Sequence, residues 1–485
     1  MTSVPLRTPV IVWFRRDLRL ADNHALAAAV SSGHPVIPLF ILEQGNDGAL
    51  PYGAAQAWWL HHSLSTLGSS LETAGNRLVL RRGAALEVLQ AIMAETGASA
   101  LYWNRRHDPD GIRVDSAVKA WARATGAQAN SFAGQLLHDP SRLRTGNGGA
   151  YKVFTPFWRA LSDGGEPDTL IDAPLHIPCP ERFPESERLD NWRLLPRKPD
   201  WACRFGETWT PGEAAAREQL AAFVRQRLGR YGQARDFPAI DGTSRLSPHL
   251  AFGEISPAQA WHAARMASHG SDSEGVAVFR KELAWRDFSY HLLFHNPQLA
   301  TDNLDRRFDA FEWRDDGPTL DAWTRGMTGY PIVDAGMRQL WTHGYMHNRV
   351  RMIAASFLVK DLMVHWRSGM SWFRDTLLDA DPASNAASWQ WVAGCGADAA
   401  PFFRIFNPTL QGEKFDPEGV YIKRHVPELS HVPQQYIHCP SKAPASVLQT
   451  AEVRLGTDYP YPIVDHRLAR SRALDAFGRI KASSP

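Results

Sequence analysis

Over the first ~135 residues, strand-length apolar runs alternate with amphipathic stretches of helical period, and no other feature of the chain constrains its fold as tightly. Apolar runs at 10–14, 36–41, 77–80 and 100–103, with a weaker fifth at 128–132, read as strands. Helical patterns at 23–30, 54–73, 84–96 and 112–125 lie between them. Strands separated by helices run parallel, and right-handed crossovers then spread the helices over both faces of the sheet. Residues 1–135 are therefore expected to form a doubly wound α/β domain. The turn after the first strand, Arg15-Arg16-Asp17, lacks the glycines of a dinucleotide fingerprint, so this fold alone assigns no ligand.

Residues 136–210 are rich in Pro, Gly, Asp and Arg with little periodicity, which predicts a long connector that serves a function or wraps another domain. From 211 to 485 helical patterns dominate, at 213–228, 257–266, 275–294, 320–325, 333–343, 348–366 and 371–378, with a closing helix at 468–480. The fold class is thus α/β followed by all-α. No apolar run approaches the ~20 residues that span a bilayer, and the first apolar stretch runs straight into Arg15 and Arg16, unlike a signal peptide. A cytoplasmic protein is the expectation. The net charge, 53 − 51 = +2, neither requires nor excludes nucleic acid. The four cysteines form no CxxC pair, so free buried thiols are expected and no metal site is. The 18 tryptophans fall nine in each half of the chain; most must be core, and composition cannot say which do something else.

Four segments carry chemistry. In TSRLSP, Thr243 to Pro248, hydroxyls and an arginine precede a helix start with Ser247 as N-cap and Pro248 at the first helical position. That suits a bound anion such as pyrophosphate, though an ordinary capped helix looks the same. In KELAWRDF, helical spacing puts Glu282, Trp285, Arg286 and Ser289 on one face, either a base-binding surface or a solvated one. In MHNRVRM, Asn348, Arg351 and Met352 face one side while Arg349 points elsewhere. The stretch 378–408 shows no helical amphipathicity; Asp379 and Arg351 could pair, and Trp389 and Trp391 should face different ways.

Together with VWFRRDLRLADN, YKVFTPFWRA, TGYPIVDAGMRQL, SWQWVAGCGADAAP and FRIFNPTLQGEKFDP, these segments resemble the photolyase/cryptochrome family over about nine-tenths of the chain. The resemblance implies FAD, reduced in the active form, in contact with Tyr231, Thr243, Ser244, Arg245, Leu246, Ser247, Phe279, Arg351, Asp379, Ala380, Asp381 and Asn385. It implies a relay of Trp389, Trp366 and Trp313 from flavin to surface. It further implies a lesion pocket of Glu282, Trp285, Asn348, Met352 and Trp391, with Arg235, Arg286, Arg349 and Gln411 contacting DNA. Asn385 would face flavin N5, where its amide can hydrogen-bond but does not titrate. The chemistry implied is light-driven electron transfer to a flipped-out pyrimidine dimer in UV-damaged DNA, with Glu282 stabilising the dimer radical.

Within the family, (6-4) photolyases carry two histidines where this chain has Asn348 and Met352, and cryptochromes and the DASH branch often carry tyrosine where it has Trp391. Cyclobutane dimer repair by a monomer is the expectation, with a cryptochrome-like light sensor as the alternative. The accessory chromophore, of folate or deazaflavin type, stays open. Pro109 and Asp110 stand where folate-binding relatives have Asn-Glu, and Arg105 and Arg106 follow the Tyr102-Trp103-Asn104 run. His34, Trp58, Trp59 and His61 could line such a site, with core packing the commoner role for the tryptophans.

Overall fold

The computed structural model describes residues 8–43, 52–267, 273–399, 401–402 and 404–482. Its N-terminal part is built from β1 (Val10–Phe14), α1 (His24–Ser31), β2 (Val36–Leu42), α2 (Ala54–Thr73), β3 (Val79–Arg82), α3 (Ala85–Thr96), β4 (Ala100–Asn104), α4 (Pro109–Thr125) and β5 (Gln128–Phe132). The five strands pair in parallel in the order β3-β2-β1-β4-β5, the doubly wound sheet that the alternation predicts. The central strand β1 is buried along its whole length, which is why it is an unbroken apolar run rather than an alternating one. The third strand lies two residues further along than expected, at Val79–Arg82, because its pairing with β2 continues through Arg81 and Arg82.

The chain after β5 carries α5 (Phe154–Asp163) and then returns along the sheet, where Ile177 N–H donates to Ala74 O at 2.8 Å and Glu187 N–H to Leu80 O at 2.9 Å. The helices that build the site follow: α6 (Glu213–Gln226), α7 (Ser247–Phe252), α8 (Glu274–His295), α9 (Asn348–Ser356), α10 (Trp366–Thr376) and α11 (Pro382–Ala393).

Two departures from the sequence pattern have identifiable reasons. The single helix expected at 348–366 is interrupted by a π turn, Phe357–Asp361, after which His365 caps a new helix by accepting from Arg367 N–H. The stretch without helical amphipathicity nevertheless contains α11. Asp381 caps its start, Pro382 opens it and Gly394, at φ 90°, ends it. It has no apolar stripe because it is enclosed on several sides, so a search for periodicity misses it. Of the cysteines expected to be buried, Cys395 is, but Cys179 and Cys203 are exposed.

A buried polar seam joins the sheet to the helices. Arg19, fully enclosed, donates to the carbonyls of Asp22, Gly134 and Gly253 at 2.8, 3.0 and 2.9 Å. The amides of Leu20 and Ala21 donate to the Glu213 carboxylate, and the Trp59 indole donates to Glu254 at 3.0 Å. Both terminal nitrogens of this buried arginine are bonded, and these bonds fix the approach of α6 and α7 to β1.

Candidate functional site: a two-chambered cavity among the helices

Two chambers of about 420 and 250 Å³ lie side by side and share Arg235, Glu282, Asn348, Arg351, Asp379 and Asp381 in their walls. The smaller is formed by Tyr231, the run Thr243 to Ser247, Phe279 and Tyr345. Tyr231, Phe223 and Phe279 pack edge to face or tilted at 4.8–5.6 Å, and burial raises the Tyr231 phenol pKa. The 243–247 run is pinned where the Gln219 amide donates to Ser244 O at 2.7 Å. The helix after it begins one residue earlier than expected. Leu246 is its N-cap and makes no side-chain bond, while Ser247 lies within the first turn and lines the chamber.

Between the chambers, Arg351 donates to Asp379 Oδ2 at 2.8 Å and to Met346 O at 2.6 Å. The other carboxylate oxygen of Asp379 is enclosed and has no hydrogen-bond partner among the described residues. Asp381 accepts from the Ala383 and Ser384 amides at 3.1 and 2.8 Å and from the Tyr290 hydroxyl at 2.6 Å. Ala380 O accepts from Gln56 of α2 at 3.0 Å, so the first domain helps to hold this turn. An enclosed acceptor without a donor, beside a cavity with hydroxyls and cations at its other end, fits a dinucleotide with hydrogen-bonding rings. FAD meets that description.

The larger chamber brings together Glu282, Trp285 and Ser289 from α8, Asn348 and Met352 from α9, and Asn385, Trp389 and Trp391 from α11. Of the four residues expected on one face of α8, three meet here. Arg286 does not: it donates to Gln135 O at 2.8 Å and lines the smaller chamber. Glu282 is ion-paired with Arg235, and Arg349 with Asp236 at 2.7 Å. Asn385 donates to Met370 O at 3.1 Å. Arg349 and Gln411 line neither chamber among the described residues.

Trp389 is buried and Trp391 half-buried, consistent with their two-residue offset. The Trp389 ring lies over Gly369 of α10, so close that a Cβ there would stand 2.1 Å from it. Trp366 is fully buried and donates to Asn303 at 2.8 Å, and the His365 ring lies 5.5 Å from Trp366 and 4.9 Å from Trp313. Trp389 also meets Phe373 at 5.0 Å and Trp323 at 6.2 Å, contacts that no sequence spacing announces.

Of the residues suggested for an accessory chromophore, Trp58 and Trp59 are core, and Asp110 pairs with Arg113 on the surface. A cavity of about 880 Å³ lies elsewhere, lined by Trp341, Trp372, Arg204, Arg325, Arg338 and Arg424 among others. Trp341 and Trp372 there are parallel to within 9°, with centroids 6.1 Å apart.

Comparison with known proteins agrees with this geometry. The chain matches the family model for DNA photolyase over residues 10–180 and that for the FAD binding domain of DNA photolyase over residues 279–479. It is 59% identical over 476 residues to the deoxyribodipyrimidine photo-lyase of Agrobacterium fabrum, covering 98% of this chain and 99% of that protein. It is 38% identical to cryptochrome-1 of Arabidopsis thaliana, covering 97% of this chain and 70% of that protein. The crystal structure of a bacterial class III photolyase from Agrobacterium tumefaciens superposes with a TM-score of 0.97 over the whole of both chains, at 58% identity. By sequence over nearly its full length and by fold, the chain belongs to the photolyase/cryptochrome family.

Proposed function

We propose that the protein repairs cyclobutane pyrimidine dimers in DNA under blue light. The observation that carries this is the larger chamber, where Trp285, Trp391, Glu282, Asn348 and Met352 sit beside the Arg351–Asp379 pair. Trp285 and Trp391 offer ring faces to the two bases, worth roughly 1–3 kcal/mol per stacked base. Glu282 accepts from a base N–H and Asn348 can both donate and accept. The dimer must leave the duplex to enter, at a cost of about a few kcal/mol that is smallest for damaged bases, photolyases being a standard example of such extrusion. Arg235 and Arg349, at present held by Glu282 and Asp236, are the cations that phosphates would engage.

Tyr231, Thr243 to Ser247, Phe279, Arg351, Asp379 to Asp381 and Asn385 would hold FAD, which when bound supplies the light-driven one-electron chemistry. Arg351 donates to the Asp379 carboxylate at 2.8 Å, and the non-titrating amide of Asn385 adds no proton to the site. Trp389, Trp366 and Trp313 would conduct electrons between that site and the surface.

An accessory pigment has a natural place beside Trp341 and Trp372. The two rings, parallel to within 9°, line a cavity together with four arginines, which supports this reading. Such walls suit a planar pigment with an anionic tail, the chemistry that folates and deazaflavins share.

The test is a repair assay. Chemically reduced holoprotein is mixed with a thymine-dimer oligonucleotide, and return of thymine absorbance is followed in blue light and in darkness. Recovery in the light alone supports the proposal. No recovery from protein that binds FAD and photoreduces it would move the reading to a light-sensing flavoprotein.

A further inference from the structure

The run Tyr151 to Ala160 bears a motif that the cavity walls do not absorb, yet it reaches them from behind. Phe154, the first residue of α5, is buried, and its ring stacks on Trp285 with centroids 3.7 Å apart and planes 7° from parallel. Trp285 lines the larger chamber and Phe154 does not, so Phe154 covers the ring face turned away from the cavity. Phe288 meets both rings edge-on, at 5.8 and 5.6 Å, and Phe157 supports Phe288 at 5.1 Å. A second tie links this corner to the opposite wall. Phe154 N–H donates to Asp398 Oδ2 at 3.1 Å. Asp398 adopts the left-handed conformation, φ 49°, one residue after Ala397 of the chamber wall and in the loop that follows Trp391.

Resting on the dimer-repair reading, we infer that Phe154 is a positioning residue for lesion recognition. It fixes the plane of Trp285, and its amide, through Asp398, holds the loop beside Trp391 at a set distance. An indole on one side of a cavity has rotamers in which it no longer presents a face to a ligand. Filling the rear face by stacking removes them before the dimer arrives, so the cost of ordering the ring is met in folding rather than in binding. The connector thus acts in substrate selection without touching substrate.

The test compares wild type, Phe154→Leu, Phe154→Tyr, Asp398→Ala and Asp398→Asn as FAD-loaded proteins. Each is titrated with a dimer-containing oligonucleotide and the same oligonucleotide undamaged, and repair yield per bound complex is measured at saturation. Phe154→Leu should weaken dimer binding about three- to tenfold, leaving undamaged binding and yield per bound complex unchanged, and Phe154→Tyr should restore the affinity. Asp398→Ala should weaken dimer binding in the same selective way and Asp398→Asn less so, which tests the device even if Phe154→Leu folds poorly. Equal loss on both oligonucleotides, or wild-type affinity in both Phe154→Leu and Asp398→Ala, would overturn the inference while leaving repair by wild type standing. A wild type without preference for dimer DNA would overturn the repair reading and this inference with it.

Discussion

Arg351 and Asp379 are bonded at 2.8 Å through one carboxylate oxygen, and the other oxygen of Asp379 is enclosed with no partner among the described residues. The pair is complete as a charge and incomplete as a hydrogen-bonding group, the condition of a site built around a donor supplied by a ligand. Removing the arginine strands the charge. A fully buried pair broken in this way costs ~3–5 kcal/mol, and Arg351 keeps 24% side-chain exposure, which reduces the expected loss. Arg351→Ala should melt roughly 2–3 kcal/mol less stable and purify with little flavin. Flavin absorbance per chain checks this; full retention would remove the pair from cofactor binding.

Light activation and repair should separate. Trp389→Phe should abolish photoreduction of the oxidised flavin yet leave repair intact once the flavin is reduced chemically. Trp366→Phe should slow photoreduction without abolishing it, because Trp389 also touches Trp323. Flavin absorbance under steady illumination distinguishes the two, and equal behaviour of both variants would argue against any route through Trp323.

Arg235 should act on all DNA alike. Arg235→Ala removes one phosphate contact, so the slope of log affinity against log salt should become shallower by about one, for damaged and undamaged duplex equally. A loss confined to dimer DNA would mean instead that Arg235 serves through its partner Glu282.

Stability should fall on both sides of neutrality. Burial lowers the pKa of His107, His291, His347 and His365 to about 4, so the unfolded chain takes up these protons first. Their contribution is present above the ordinary histidine pKa near 6.5 and is lost as pH falls towards 4. Asp287 runs the other way. Burial raises it to about 7, so its contribution is present below the unfolded value of 3.8 and lost as pH rises through 7. Asp287→Asn should therefore gain melting temperature relative to wild type at pH 8 and not at pH 4, as thermal unfolding across that range would show.

The sequence discloses the parallel sheet because β1, β2 and β4 are buried runs whose spacing is set by helices between them, and α2 is legible to the residue because both ends are marked by changes in composition. Cavity residues such as Glu282, Asn348 and Met352 are legible because one helix turn brings each towards the same space. Arg286 is harder to read: it lines the smaller chamber with Glu282, and its bond to Gln135 comes from a distant segment. Phe154 was invisible for the same reason: its contact with Trp285 joins a connector to α8, and nothing local to either announces it. What local pattern cannot encode is the backing of a site by chain that arrives from elsewhere.

Gly369 shows how little chemistry the proposed conduction path needs in order to be lost. The space over its Cα is taken by the Trp389 ring, so a single methyl group at that position would displace the ring or tilt α10 away from it. A variant could then keep every tryptophan and its flavin and still be dark-locked, needing a chemical reductant to work. Counting aromatic residues would score such a protein as intact; the deciding position is the one with no side chain at all.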